Sequence, residues 1–153
     1  MRTPGPASHL RQRLARAQTL DEALALAAIE QICPHCPEAT DLAIYRRVRE
    51  LVAAKAWLDL TVLLIAWRVP QWRIREMHFD QGKWHCILAL RWTPAPHLGR
   101  PVIAQGHALE LALLSGLAEV LDQAMDLERP FANVVPLRPR DNPSAAIRDQ
   151  DIW

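Results

Sequence analysis

Residues Pro70–Trp92 read PQWRIREMHFDQGKWHCILALRW, two runs rich in Trp, Ile, Phe and Leu that meet at Asp80-Gln81-Gly82. Aromatic and β-branched residues on both sides of a glycine-containing turn predict a β-hairpin. A strict period of two places Trp84, Cys86, Leu88, Leu90 and Trp92 on one face of the second strand, with Lys83, His85, Ile87, Ala89 and Arg91 on the other. In the first strand it sets Arg73, Arg75, Met77 and Phe79 against Trp72, Ile74, Glu76 and His78. Apolar groups on both faces predict a sheet covered, at least in part, on two sides.

Helical patterns flank the hairpin. Thr19 followed by Glu22 has the spacing of a capping box, and Leu20, Ala23, Leu24, Ala27 and Ala28 continue at helical intervals to about Ile32. Pro34 and Pro37 end that helix. A second helix restarts at Thr40 or Asp41, with Leu42, Tyr45, Val48, Leu51 and Val52 on one face and Arg46, Arg47, Arg49 and Glu50 mostly opposite. Trp57-Leu58-Asp59 is expected to break or bend it, with Asp59 as a new N-cap. Leu60–Val69 is apolar at nearly every position, which predicts a helix buried on most sides and stopped by Pro70.

After the hairpin, Thr93–Pro101 is a proline-rich loop and Val102–Gln105 a short third strand. A last helix is expected over about His107–Leu127, with Leu109, Leu113, Leu117, Val120, Leu121 and Ala124 as its core stripe. The fold class is therefore α+β, a small antiparallel hairpin or three-stranded sheet packed between α-helices. Residues 1–18 hold four arginines and no acid, and read as a basic flexible arm; residues 19–128 form a single α+β domain. Residues 129–153 are Pro-rich and polar, and read as a disordered tail.

At 153 residues, 50% of them apolar, the chain can bury one core. A net charge of +1 supplies no global field toward nucleic acid or acidic lipid. No apolar run approaches the roughly 20 residues a bilayer needs, and no apolar segment follows the N-terminal arginines. A cytoplasmic location without membrane attachment is the expectation, and an odd count of three cysteines agrees with it.

The motif with the most chemical content is Cys33-Pro34-His35-Cys36. A C-x-x-C at a helix start makes a reactive thiolate, and this tetrapeptide resembles the active site of the periplasmic thiol oxidases of the thioredoxin superfamily. In that family the motif follows a strand and opens a helix, whereas here a helix precedes it, and Val69-Pro70 does not stand for the family's cis-proline. A structural zinc site is the other reading, with Cys33 and Cys36 joined by Cys86 and His85, or His78, from the hairpin. The bland alternative is a proline-stiffened turn with two small apolar thiols, and it is favoured because no second half-site appears. No cofactor is expected beyond such a zinc. Gly5, Gly82, Gly99, Gly106 and Gly116 build no phosphate loop, and neither G-x-S-x-G nor H-E-x-x-H occurs. His107 beside Gly106 marks a helix start, where capping or exposure explains it better than anion binding.

Arg73, Arg75, Lys83 and Arg91 interleave with Trp72, Trp84 and Trp92 on the hairpin. Basic groups beside indoles suit unpaired nucleic acid, yet most tryptophans are needed to fill the core. Trp153 ends the polar tail and is a candidate anchor for a partner.

The order of elements is similar to the phage ABA sandwich domain. The similarity runs over about residues 58–125: an apolar, Trp-containing helix to Val69, two strands with Gly82-Lys83-Trp84-His85-Cys86, and Ala104–Leu114 opening a helix. It implies helices around a short antiparallel sheet and a phage or prophage setting, and it carries no catalytic or binding residue.

The sequence thus predicts a non-enzymatic accessory protein that binds a macromolecular partner, with a protein expected ahead of nucleic acid. Contacts are expected at Arg73, Arg75, Lys83, Arg91, Trp72 or Trp153. A nucleic-acid-binding module using the basic hairpin face is the first alternative. A zinc-stapled or thiol-redox protein built on CPHC is the second.

Overall fold

A computed structural model of the chain describes residues 6–33, 42–92 and 99–128. Within them lie five helices, α1 (Pro6–Arg16), α2 (Glu22–Ile32), α3 (Leu42–Ala53), α4 (Trp57–Arg68) and α5 (Leu109–Glu128). Three strands, β1 (Trp72–Asp80), β2 (Lys83–Leu90) and β3 (Val102–Gly106), form one open antiparallel sheet in the order β1-β2-β3. The α+β class expected from the sequence is the class observed.

Gln81 and Gly82, at φ 49° and 76°, turn the hairpin. Two consecutive left-handed residues make a type I′ connection, whose twist matches that of the strands. Cross-strand pairs then set the faces. Leu88 lies opposite Ile74 on one side and Val102 on the other, and Cys86 lies opposite Met77 and Ala104. These residues form the inner face, against which α5 packs.

A β-bulge interrupts the strict alternation expected for the first strand. The register shifts between Ile74 and Glu76. An extra residue reverses the side-chain parity beyond it. Met77 and Phe79 thereby join Trp72 and Ile74 on the inner face, while Arg73, Glu76, His78 and Asp80 share the outer face with their partners on β2.

The helical layer centres on α5. Leu111, Leu113, Leu114, Leu117 and Val120 are all at most 1% exposed, because α5 touches β2 and β3 as well as α1, α2 and α4. Its buried surface is broader than the expected stripe, and Ala124 of that stripe is exposed. Gly116 sits where the helix crosses the sheet: a β-carbon there would stand 2.8 Å from Leu88 Cδ1.

The reading of residues 1–18 as a flexible arm is corrected. Residues Pro6–Arg16 are helical, and Leu10 and Leu14 are buried at 2% and 1% exposure in the same core as α5. Two leucines one helical turn apart are enough to seat the segment, and Arg11 reaches Asp122 of α5 at 3.4 Å. Residues 129–153, read as a tail, lie outside the described residues.

Three helix boundaries also differ from expectation. Asp21, not Thr19, caps α2, its carboxylate accepting from the Leu24 N–H at 2.7 Å. The start expected at Thr40 or Asp41 lies outside the described residues. The break after α3 falls at Lys55 (φ 54°), ahead of Trp57, where Lys55 N–H donates to Val52 O and Ala56 N–H to Leu51 O. That pair of bonds is a Schellman motif. Asp59 is therefore inside α4, whose N-cap is Ala56. α4 buries Leu60, Thr61, Leu64 and Ile65 but leaves Leu58 and Val62 exposed, so it is covered along one side. Thr61 satisfies its buried hydroxyl by donating to Trp57 O at 2.8 Å. Tyr45 meets Trp67 edge-on at 5.2 Å and ties α3 to α4.

Candidate partner-binding face

The outer face of the sheet gathers most of the residues singled out on the hairpin. Register places Arg73 opposite Ala89, with Arg91 following at the end of β2. Asp80 lies opposite Lys83 beside the turn, and Gln105 of β3 lies opposite His85. Ile87 occupies the centre, between Glu76 of β1 and Ile103 of β3. Ile103 is 65% exposed, and Arg73, Glu76, His78, Asp80, Lys83, Arg91 and Gln105 are exposed with it. The cover expected for this face is not supplied by the helices described, which lie along the other side.

Between the charged ends, His78 and His85 stack face to face, with ring centroids 4.9 Å apart and planes within 4°. Glu76 Oε1 lies 3.3 Å from His78 Nδ1. Acids and bases thus alternate around an exposed isoleucine, and the face carries no single-sign field.

The structure separates the residues proposed for zinc. His85 is on the outer face, whereas Cys86, its neighbour, points into the core and is wholly buried. Adjacent residues of one strand project to opposite sides of the sheet. Burial pushes the Cys86 thiol up to about 11 from an ordinary 9.0, with a backbone hydrogen bond to Ala104 pulling weakly the other way. A thiol held protonated in this way is a poor metal ligand and a poor nucleophile. Cys33 ends α2, which packs on α1 and α5, and Cys36 lies outside the described residues. Among the described residues no group of three or more His, Cys, Asp or Glu side chains is placed to hold a metal.

Of the expected contact residues, Arg73, Arg75, Lys83 and Arg91 are exposed. Trp72 is half-buried and packs against the core, as do Trp57, Trp67 and Trp84. Filling that core takes the indole area which a stacking platform would need. Trp153 lies outside the described residues. Trp92, read on the hairpin beside the arginines, is 77% exposed, and Ile103, not singled out in the sequence, is 65% exposed on the outer face. Strand parity after the hairpin could have found Ile103, since it shares a face with Ile87.

The fold and this face define a small open-sheet α+β protein in which no described helix covers one side of the sheet. The chain matches no protein-family model, no curated protein and no solved structure. Among the described residues no helix is long and apolar enough to cross a membrane.

Proposed function

We propose that this protein acts by binding a macromolecular partner, without catalysis, and that the outer face of its sheet is the contact surface. The observation that carries the reading is Ile103 at 65% exposure beside Ile87, ringed by charges of both signs from Arg73, Glu76, Asp80 and Lys83. An apolar centre with a mixed polar rim is the usual make-up of a protein-binding patch. An accessory role of the phage or prophage type belongs to the same proposal and rests on element order alone.

A photo-crosslinking residue placed at Ile103, in lysate of the native host, is expected to trap a protein. Ile87→Lys combined with Arg73→Glu is expected to abolish capture while the protein stays folded, since a lysine at that position stands opposite Glu76. Undiminished capture by that variant would move the site elsewhere, and turnover that depends on one internal residue would overturn the non-enzymatic reading.

Trp92 and Arg91, both exposed, support nucleic acid as a second reading. That reading requires affinity that drops steeply with salt, because each phosphate contact releases counterions. Binding indifferent to salt would exclude it.

A further inference from the structure

We propose that two copies of this chain pair through the free edge of β1, joining their sheets into one continuous antiparallel sheet. This surface is the edge of the sheet, so the centre of each outer face, Ile87 and Ile103, stays available for a partner.

The edge is set by the turn. Across a two-residue type I′ loop the flanking residues, Asp80 and Lys83, exchange both backbone hydrogen bonds. Alternation then commits the backbone groups of Glu76, His78 and Asp80 to β2, and aims those of Met77 and Phe79 at the edge. Among the described residues β1 pairs on one side only. The half of β1 near the turn is also bare on its inner face. Met77 is 47% and Phe79 59% exposed, although both have core-facing register. Trp84, opposite Phe79 at 5.4 Å, is half-buried. An exposed strand edge with large apolar side chains beside it is a template for another strand.

Side-chain complementarity favours a second copy: with a two-fold axis on Met77 or on Phe79, a carboxylate of one copy stands opposite His78 of the other. Centring a two-fold axis on Met77 lets the two Met77 backbones exchange hydrogen bonds and brings the apolar side chains of Met77 and Phe79 together on one face. The same register sets Glu76 of each copy opposite His78 of the other on the opposite face, twice bringing a carboxylate beside an imidazole that can donate a hydrogen bond to it. Moving the axis to His78 would instead oppose Glu76 to Asp80, two acids, which is unfavourable; moving it to Phe79 opposes His78 to Asp80 but sets Met77 against Gln81 of the turn, so the Met77 register pairs more of the strand. The bulge after Ile74 ends the match, and so confines pairing to the half of β1 near the turn. α4 touches β1 and runs directly into its first residues, away from this half, so the helical layers of the two copies would flank the junction from opposite ends.

Light scattering and sedimentation of the full chain, from micromolar to submillimolar concentration, test the proposal. A concentration-dependent dimer is expected. Met77→Pro removes an N–H aimed at the edge and is expected to give a monomer with unchanged far-ultraviolet circular dichroism. Glu76→Lys is expected to weaken the dimer about tenfold, and adding His78→Glu to restore it. The charge-swap pair decides the matter should the proline variant unfold. A chain that stays monomeric at submillimolar concentration overturns the proposal, and so does a dimer indifferent to Glu76→Lys.

Discussion

Gly116 of α5 lies directly over Leu88 of β2, and a β-carbon at Gly116 would come within 2.8 Å of Leu88 Cδ1. Leu88 is fully buried between Ile74 and Val102, so its side chain has little room to withdraw. Gly116→Ala gains about 1 kcal/mol of helix propensity, which offsets the crowding and leaves stability nearly unchanged. Gly116→Leu has no such balance and is expected to cost about 1–3 kcal/mol by overpacking. Urea unfolding of the two variants checks the contrast.

Lys55 holds a left-handed conformation at the end of α3, at the Schellman position that glycine prefers. Lys55→Gly is expected to raise stability by about 0.5–1 kcal/mol, since glycine occupies this region without steric cost. A lower melting temperature would mean that the lysine side chain contributes a contact worth more than the strain.

The hairpin turn makes a paired prediction. Gln81→Asn suits a left-handed position better than glutamine and is expected to stabilise by a few tenths of a kcal/mol, roughly. Gly82→Val at φ 76° is expected to cost about 1–2 kcal/mol. Nothing lies near the β-carbon position of Gly82, so the loss would come from backbone strain alone.

Cys86 ties stability to alkaline pH. Its folded-state value, about 11, stands above the ordinary 9.0, so the unfolded chain loses this proton first. Stability is therefore intact below about pH 9 and falls as pH rises toward about 11, by at most about 2–3 kcal/mol. Cys86→Val removes the titrating group, and a flatter alkaline limb of its stability curve against the parent is the expected result. Native Cys86 should also resist alkylation until the protein unfolds.

The N-terminal helix is expected to be structural. Leu14→Ala should destabilise by about 2–5 kcal/mol, the cost of emptying a buried leucine site. Deleting residues 1–17 should do more, because it uncovers the α1-facing side of α5. Equal stability of the truncated and full chains would restore the flexible-arm reading.

How much was legible follows from how local each feature is. The hairpin was readable because a two-residue turn and its strands lie within one short stretch, Trp72–Leu90. α2 was readable in type but not in start, since Thr19 and Asp21 are both competent caps and only the backbone chooses between them. The bulge at Ile74–Glu76 left no mark in the alternation of residue types, and it inverted the faces of Met77 and Phe79. The exposure of Arg73, Lys83 and Arg91 on the hairpin was readable from their charge. The half-burial of Trp72 was not readable, because aromatic residues serve cores and surfaces alike.

The sequence by itself determined the α+β class, the hairpin and the existence of the flanking helices, because turn chemistry and apolar periodicity act over a few residues. Tertiary structure alone decided that α1 belongs to the core, that α5 is its centre and that the described helices leave the outer face without cover. Those outcomes depend on which apolar surfaces meet across long separations in the chain. Leu10 and Leu14 look like a thin apolar pair until α5 is there to receive them.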